Sequence, residues 1–314
     1  MCIRDRCLGF GFKRAGFNII WANEYDKSIW DTFEYNFPNT ILDKRDIKLI
    51  DNIPDCIGII GGPPCQSWSE AGSLRGINDP RGKLFFEYIR IIKEKKPLFF
   101  LAENVAGILH ERNKESFNYI INCFKEIGYT VSYKLLNAKD CNVPQDRKRV
   151  FIVGFANGVN FAFPKPIDNK VTLRDAIFDL KDNATEYRGD AFNHEYYVSG
   201  YSSIYMSRNR VRGWDEQSFT IQASARQCPL HPQAPKMELI SKDKQEFRKG
   251  YEHLYRRLTV RECARIQTFP DDFRFIYSNI VNGYKMVGNA VPVNMAYHIG
   301  FCVRKMLELT SHCL

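Results

Sequence analysis

Short apolar runs alternate with amphipathic stretches from the amino end to about residue 155. FNIIWA (17–22), CIGII (56–60), PLFFLA (97–102) and VFIVGF (150–155) read as buried strands. KLFFEYIRIIKEKK (83–96) gathers Leu84, Phe85, Tyr88, Ile89 and Ile92 on one helical face, and Asp79-Pro80 ahead of it suits a helix start. Strands alternating with helices predict an α/β fold whose mostly parallel sheet is covered on both faces. Ligands of such sheets bind beyond the carboxyl ends of the strands.

The pattern changes after Pro164 and Pro166. To about residue 283 the chain is rich in Asn, Arg, Tyr, Gln and Ser and has few periodic segments, as expected of a smaller, loop-rich module. One helix within it is clear: Thr259 and Glu262 form a capping box ahead of VRECARIQTF. The last thirty residues, preceded by GNAVP (288–292), return to an apolar helical pattern. The expected division is therefore 1–166 and 284–314 for the main domain and 167–283 for the second.

Composition narrows the function classes. No apolar run reaches the roughly 20 residues of a membrane span, and the amino end does not resemble an export signal, so a cytoplasmic protein is expected. The net charge of +9 favours polyanionic partners, although alone it is weak evidence. Ten cysteines without a CxxC pair suggest neither a zinc ribbon nor a dithiol centre, and no metal is expected.

Polar clusters follow the three best strands: Asn23-Glu24, GGPPCQSWS (61–69) and Glu103-Asn104-Val105. Their recurrence at strand ends favours one shared site. In GGPPCQSWS, two glycines permit a tight turn and two prolines stiffen the chain leading to the cysteine. A cysteine on such a turn is presented rather than packed, so Cys65 reads as a nucleophile. Cys56, Cys123, Cys263 and Cys302 lie in apolar or helical contexts and read as packed thiols.

GGPPCQSWS, Glu103-Asn104-Val105, QDRKR (145–149), RLTVRECARIQTFP (257–270) and GNAVP occur in the order found in DNA cytosine-5 methyltransferases. The chain resembles that family from about residue 8 to about residue 305, and five ordered motifs are far more specific than one. SWSEAGSLRG, MSRNRVR and RQCPLHPQAP further resemble the GGCC-specific prokaryotic modification enzymes. The resemblance implies a Rossmann-like S-adenosylmethionine-dependent sheet with a target-recognition domain. It also implies a monomer acting on double-stranded DNA and paired in function with a restriction endonuclease.

It further implies roles for individual residues. Cys65 would add to carbon 6 of cytosine, Glu103 would hydrogen-bond ring nitrogen 3, and Arg147 and Arg149 would bind the flipped base and the thiol region. Read alone, QDRKR would be a solvated basic turn and Asp46 a turn residue. On the cofactor side, Glu24 would take ribose hydroxyls, Tyr25 would lie beside adenine, and Asp46 near the adenine amino group with Ile47 alongside. Pro63, Leu84, Asn289 and Val291 would complete that side. Residues 66–82, with Gly72, Gly76, Gly82, Arg75 and Arg81, suit a closing loop with phosphate contacts, though out of this context they would be an ordinary surface loop. Arg208, Arg210, Arg212, Arg226 and Gln227 are the candidates for reading bases, with phosphate contact the plainer role for about half of the arginines.

The opening MCIRDRCLGFGFKRAGF departs from the family's strand and FxGxGG loop. The expectation is a sheet without its first strand and without half of the cofactor cradle. The alternatives are an RNA cytosine methyltransferase, disfavoured by the long recognition module, and a non-catalytic DNA-binding protein, which cofactor binding would separate.

Overall fold

The computed structural model describes residues 2–3, 6–63, 83–156, 158–186 and 192–311. A seven-stranded sheet lies at its centre. Its strands are β1 (Cys2–Ile3), β2 (Trp21–Asn23), β3 (Ile41–Asp43), β4 (Gly58–Gly61), β5 (Phe99–Val105), β6 (Thr130–Asn137) and β7 (Lys148–Phe155), in the order β3-β2-β1-β4-β5-β7-β6. All neighbouring pairs from β3 to β5 are parallel, and β7 runs antiparallel to both β5 and β6. The four strands expected from apolar runs are present.

The expected loss of the first strand is corrected in part. Cys2–Ile3 occupies an interior position of the sheet and pairs with Ala22–Asn23 on one side and Ile60–Gly61 on the other. Arg4 and Asp5, which lead to the next helix, lie outside the described residues.

Eight helices accompany the sheet among the described residues: α1 (Arg6–Arg14), α2 (Trp30–Asn36), α3 (Lys83–Lys95), α4 (Lys114–Glu126), α5 (Leu173–Ile177), α6 (Val260–Ile266), α7 (Ile280–Gly288) and α8 (Val293–Ser311). Strand alternation sends odd and even positions of β5 to opposite faces. Phe99 and Leu101 join a large core with α1, α6, α7 and α8, whereas Phe100 and Ala102 join a second core with α3 and α4. Phe85, Tyr88, Ile89 and Ile92 of α3 are buried as its periodicity predicts, and Leu84 is half-buried. The proposed start at Asp79-Pro80 lies outside the described residues. Helices α1 and α8 pack so closely that a Cβ at Gly11 would stand 2.4 Å from that of Ala296.

Helix α6 starts with the expected reciprocal Thr259–Glu262 cap. Leu258 to Phe275 pack into the large core, so packing divides the second module more narrowly than composition does. Its own small core comprises Tyr205, Val211, Leu230, Ala234, Met237 and Tyr255. Beside it lies a two-stranded sheet, β8 (Glu238–Ser241) and β9 (Lys244–Glu246). Cys263 is fully buried, and Cys56, Cys123 and Cys302 are half-buried. No described helix is long and apolar enough to cross a membrane. No described group of three or more His, Cys, Asp or Glu could hold a metal ion.

Candidate active site and nucleic-acid interface

The ends of β2 and β3 form one half of the site. The Asn23 amide donates to the carbonyls of Asp43 at 3.0 Å and Arg45 at 2.8 Å, which fixes the turn after β3. Glu24 is 6 % exposed; its Oε1 accepts the Asp26 amide at 2.9 Å, and its carbonyl accepts the Trp30 indole N–H at 2.8 Å. Tyr25 beside it is 69 % exposed. Asp46 accepts the Lys48 amide at 3.1 Å and caps the short turn Ile47–Leu49. Arg90 of α3 secures that turn by donating to the carbonyls of Ile47 and Ile50.

This donor set suits an adenosine moiety. A buried carboxylate accepts from ribose hydroxyls, an exposed aromatic ring stacks on a base, and a second acidic group can accept from an exocyclic amine. Pro63 is buried and Asn289 is exposed at the end of α7. Ile47 and Val291 are packed into the two cores, so their side chains are buried rather than open to solvent.

The other half is the junction of β5 and β7. In the antiparallel register Glu103 faces Phe151 and Val105 faces Arg149, which makes Glu103 and Arg149 diagonal neighbours on one face. Arg149 Nε lies 2.9 Å from Glu103 Oε1, and both side chains are largely buried. Burial pushes the Glu103 carboxyl up, while the positive charges of Arg149 and Arg147 pull it down only in part, leaving it raised. Asn104, 1 % exposed, reaches the Pro63 carbonyl at 3.4 Å and so ties the end of β5 to that of β4.

Cys65, Arg75, Arg81 and the loop 66–82 lie outside the described residues. Arg147 and Arg149, grouped together on sequence grounds, have different surroundings. Arg147 is 1 % exposed, and its terminal nitrogens donate to the carbonyls of Ile221, Gly288 and Ala290, each at 2.9 Å.

Four of the five expected base-reading residues line one cleft of about 310 Å³: Arg208, Arg210, Arg212 and Gln227. Asp146, Thr220 and Gln222 line it too and were missed, although Asp146 belongs to QDRKR. Arg208 and Arg226 are exposed. Arg212 is half-buried, 3.2 Å from Glu216 and stacked on Phe219. Arg210 is 5 % exposed and is held by the carbonyls of Tyr205 and Ile204 and the side chain of Gln227.

A buried carboxyl whose pKa is raised, an edge with acceptors suited to adenosine and a cleft lined by arginines are parts that a base-modifying transferase can use. The model of the C-5 cytosine-specific DNA methylase family matches residues 7–304, and the chain belongs to that family. It is 57 % identical to the Type II methyltransferase M.FnuDI of Fusobacterium nucleatum, an alignment covering 96 % of this chain and 92 % of the relative. It is 54 % identical to the Type II methyltransferase M.NgoPII of Neisseria gonorrhoeae, covering 96 % and 93 %. The solved Entamoeba histolytica methyltransferase EhMeth superposes with a TM-score of 0.70 at 16 % identity over 97 % of this chain and 98 % of its own, which is likeness of fold. The protein is a DNA cytosine-5 methyltransferase that uses S-adenosylmethionine.

Proposed function

We propose that the chain is the modification enzyme of a Type II restriction–modification pair, methylating the inner cytosine of GGCC in duplex DNA through a covalent bond from Cys65. The observation that carries the chemistry is the buried Glu103 carboxyl, raised in pKa and oriented by Arg149 at the end of β5. The Type II naming of its relatives supports the biological setting.

S-adenosylmethionine, held through Glu24, Tyr25 and Asp46, supplies an electrophilic methyl group. The Cys65 thiolate bonds to carbon 6 of the flipped cytosine, which drives electron density onto carbon 5. Glu103 donates its proton towards ring nitrogen 3 and so stabilises the developing charge. Arg149 keeps that carboxyl aimed. Once carbon 5 bears the methyl group, its own proton passes to water, ring nitrogen 3 returns its proton to Glu103 and the Cys65 thiolate departs, which restores the aromatic ring. Residues 167–283 serve as the recognition domain, with Arg208, Arg212 and Arg226 set against guanines or phosphates. The enzyme works as a cytoplasmic monomer.

The test is expression in a host without cytosine methylation, followed by base-resolution mapping of 5-methylcytosine. The expected result is methylation of the inner cytosine of GGCC. A different motif would reject the site, and absence of the modified base would reject the activity.

A further inference from the structure

We infer that Arg147 is a positioning residue that fastens the recognition segment Ser218–Ile221 to the turn Gly288–Ala290, and thereby holds the readout cleft in register with Glu103 and Arg149. The rate consequence rests on the proposed function; the mechanical part does not.

Four consecutive residues, Pro144, Gln145, Asp146 and Arg147, make the fastening. The Ser218 amide donates to the Pro144 carbonyl at 2.9 Å, and the Asp146 amide returns to the Ser218 carbonyl at 3.0 Å. Gln145 and Ser218 thus make a parallel bridge between the two segments. The Thr220 hydroxyl then donates to the Asp146 carbonyl at 2.7 Å, and the Ile221 amide to the Gln145 side chain at 3.1 Å. Arg147 closes the arrangement by gripping the Ile221 carbonyl with Nη1 and the Gly288 and Ala290 carbonyls with Nη2. Asp146, Thr220 and Gln222 meanwhile form one wall of the cleft. Two residues beyond Arg147, Arg149 meets Glu103. One short stretch therefore contributes to the cleft wall, the fastening and the catalytic carboxyl in succession.

Chemistry explains the residue types. A planar guanidinium offers several donors in a fixed fork, so it can span carbonyls from separate segments; a lysine ammonium is a point charge and cannot reproduce that spread. Gly288 is the counterpart on the catalytic side. A Cβ there would lie 2.2 Å from the Gln222 carbonyl carbon and oxygen, so only glycine lets the cleft wall pass this close to the turn.

The test compares Arg147→Lys and Gly288→Ala with the unaltered chain. Hydrogen exchange is followed at Ser218 and Ile221, with β5 and β7 as internal references. Single-turnover methylation and equilibrium binding are measured on the same GGCC duplex. Both variants should speed exchange at 218–221 by more than about tenfold and leave β5 and β7 protected. Both should slow transfer by about tenfold to hundredfold, the scale of a sub-ångström to ångström misplacement, with a dissociation constant within about threefold of the parent. Unchanged exchange at 218–221 overturns the inference. Exchange raised equally in β5 and β7 also overturns it, because Arg147 would then serve general stability. A rate lost in Arg147→Lys but kept in Gly288→Ala overturns it in favour of direct base contact. If the unaltered chain methylates no DNA, the proposed function fails and exchange alone decides the mechanical part.

Discussion

In the central sheet, the backbone of Phe99–Val105 is paired rung by rung with that of Arg149–Phe155. Between residues 192 and 275 comparable backbone groups are met by arginine side chains. Arg257, 2 % exposed, donates to the carbonyls of Tyr197, Ser199 and Gly200 while lying against the rings of Tyr197, Tyr201 and Tyr205. Arg261, 3 % exposed, reaches the carbonyls of Phe192, Pro270 and Phe273. Buried carbonyls must find donors somewhere; a region too irregular for ladders finds them in guanidinium groups, through bonds each contributing about 1.5–3 kcal/mol. The lesson concerns the net charge of +9. Part of that charge is mortar inside the protein, and only the exposed remainder is free to meet DNA.

Three sets of substitutions probe this division, in order of expected effect. Cys65→Ala should reduce methyl transfer below detection, and Glu103→Gln should reduce it by about 10²–10⁴-fold, the usual worth of an acid–base group. Thermal melting and duplex affinity should change little for Cys65→Ala, since bonding to the base and holding the fold fall to different residues. A 5-fluorocytosine duplex that traps the parent but not the alanine variant checks the covalent step, and substantial methylation by that variant would refute it.

Next comes Glu262, the hub of the second region. It is fully buried, accepts from Arg256 at 2.7 and 2.8 Å, lies 3.3 Å from His231 and caps Thr259. Burial alone would raise its carboxyl, but Arg256 and His231 override that and hold it at about 2. Its folded value lies below the ordinary 4.5, so its stabilisation is complete above that pH and is lost as pH falls towards about 2. The gap corresponds to about 3 kcal/mol. Glu262→Gln should cost about 3–5 kcal/mol at neutral pH by leaving Arg256 unpaired, and denaturant titrations should show a smaller loss on acidification than the parent. Equal acid sensitivity would assign the parent's behaviour to other carboxyls.

The smallest effects should come from the exposed arginines. Arg208→Ala or Arg226→Ala should weaken target binding by about 1–3 kcal/mol if it reads a base, with folding stability within about 0.5 kcal/mol of the parent. A phosphate contact would instead weaken all sequences alike and flatten the salt dependence. A loss of stability on the scale expected for Glu262 would erase the distinction between mortar and contact.

Legibility in the sequence follows the same boundary. Strands β4, β5 and β7 and helix α3 are legible because burial on one or both faces demands apolar runs or a 3.6-residue period. Strand β6 was missed because it is an edge strand whose middle, Tyr133 to Leu135, is exposed and includes Lys134. Strand β3 is short and half-exposed, and β1 is two residues followed directly by charges, so neither leaves a pattern. Glu103 and Arg149 were found as motif members, but their pairing depends on an antiparallel register that no local pattern encodes. Arg147 and Arg210, expected to meet the flipped base and to read bases, are bound to backbone carbonyls in this structure, and a guanidinium bound to carbonyls and one awaiting a guanine look identical in a sequence.

The small core of Tyr205, Val211, Leu230, Ala234, Met237 and Tyr255 stands apart from the two cores that support the sheet. Inheritance can act on such a block separately. On the proposed reading of residues 167–283 as the recognition domain, surface changes around it can shift which duplex is accepted while the chemical edge of the sheet passes unaltered from parent to descendant. A lineage can thus acquire a new address on DNA without reinventing its reaction, provided that Ile221, Ala225 and Cys228, which belong to the large core, keep their packing.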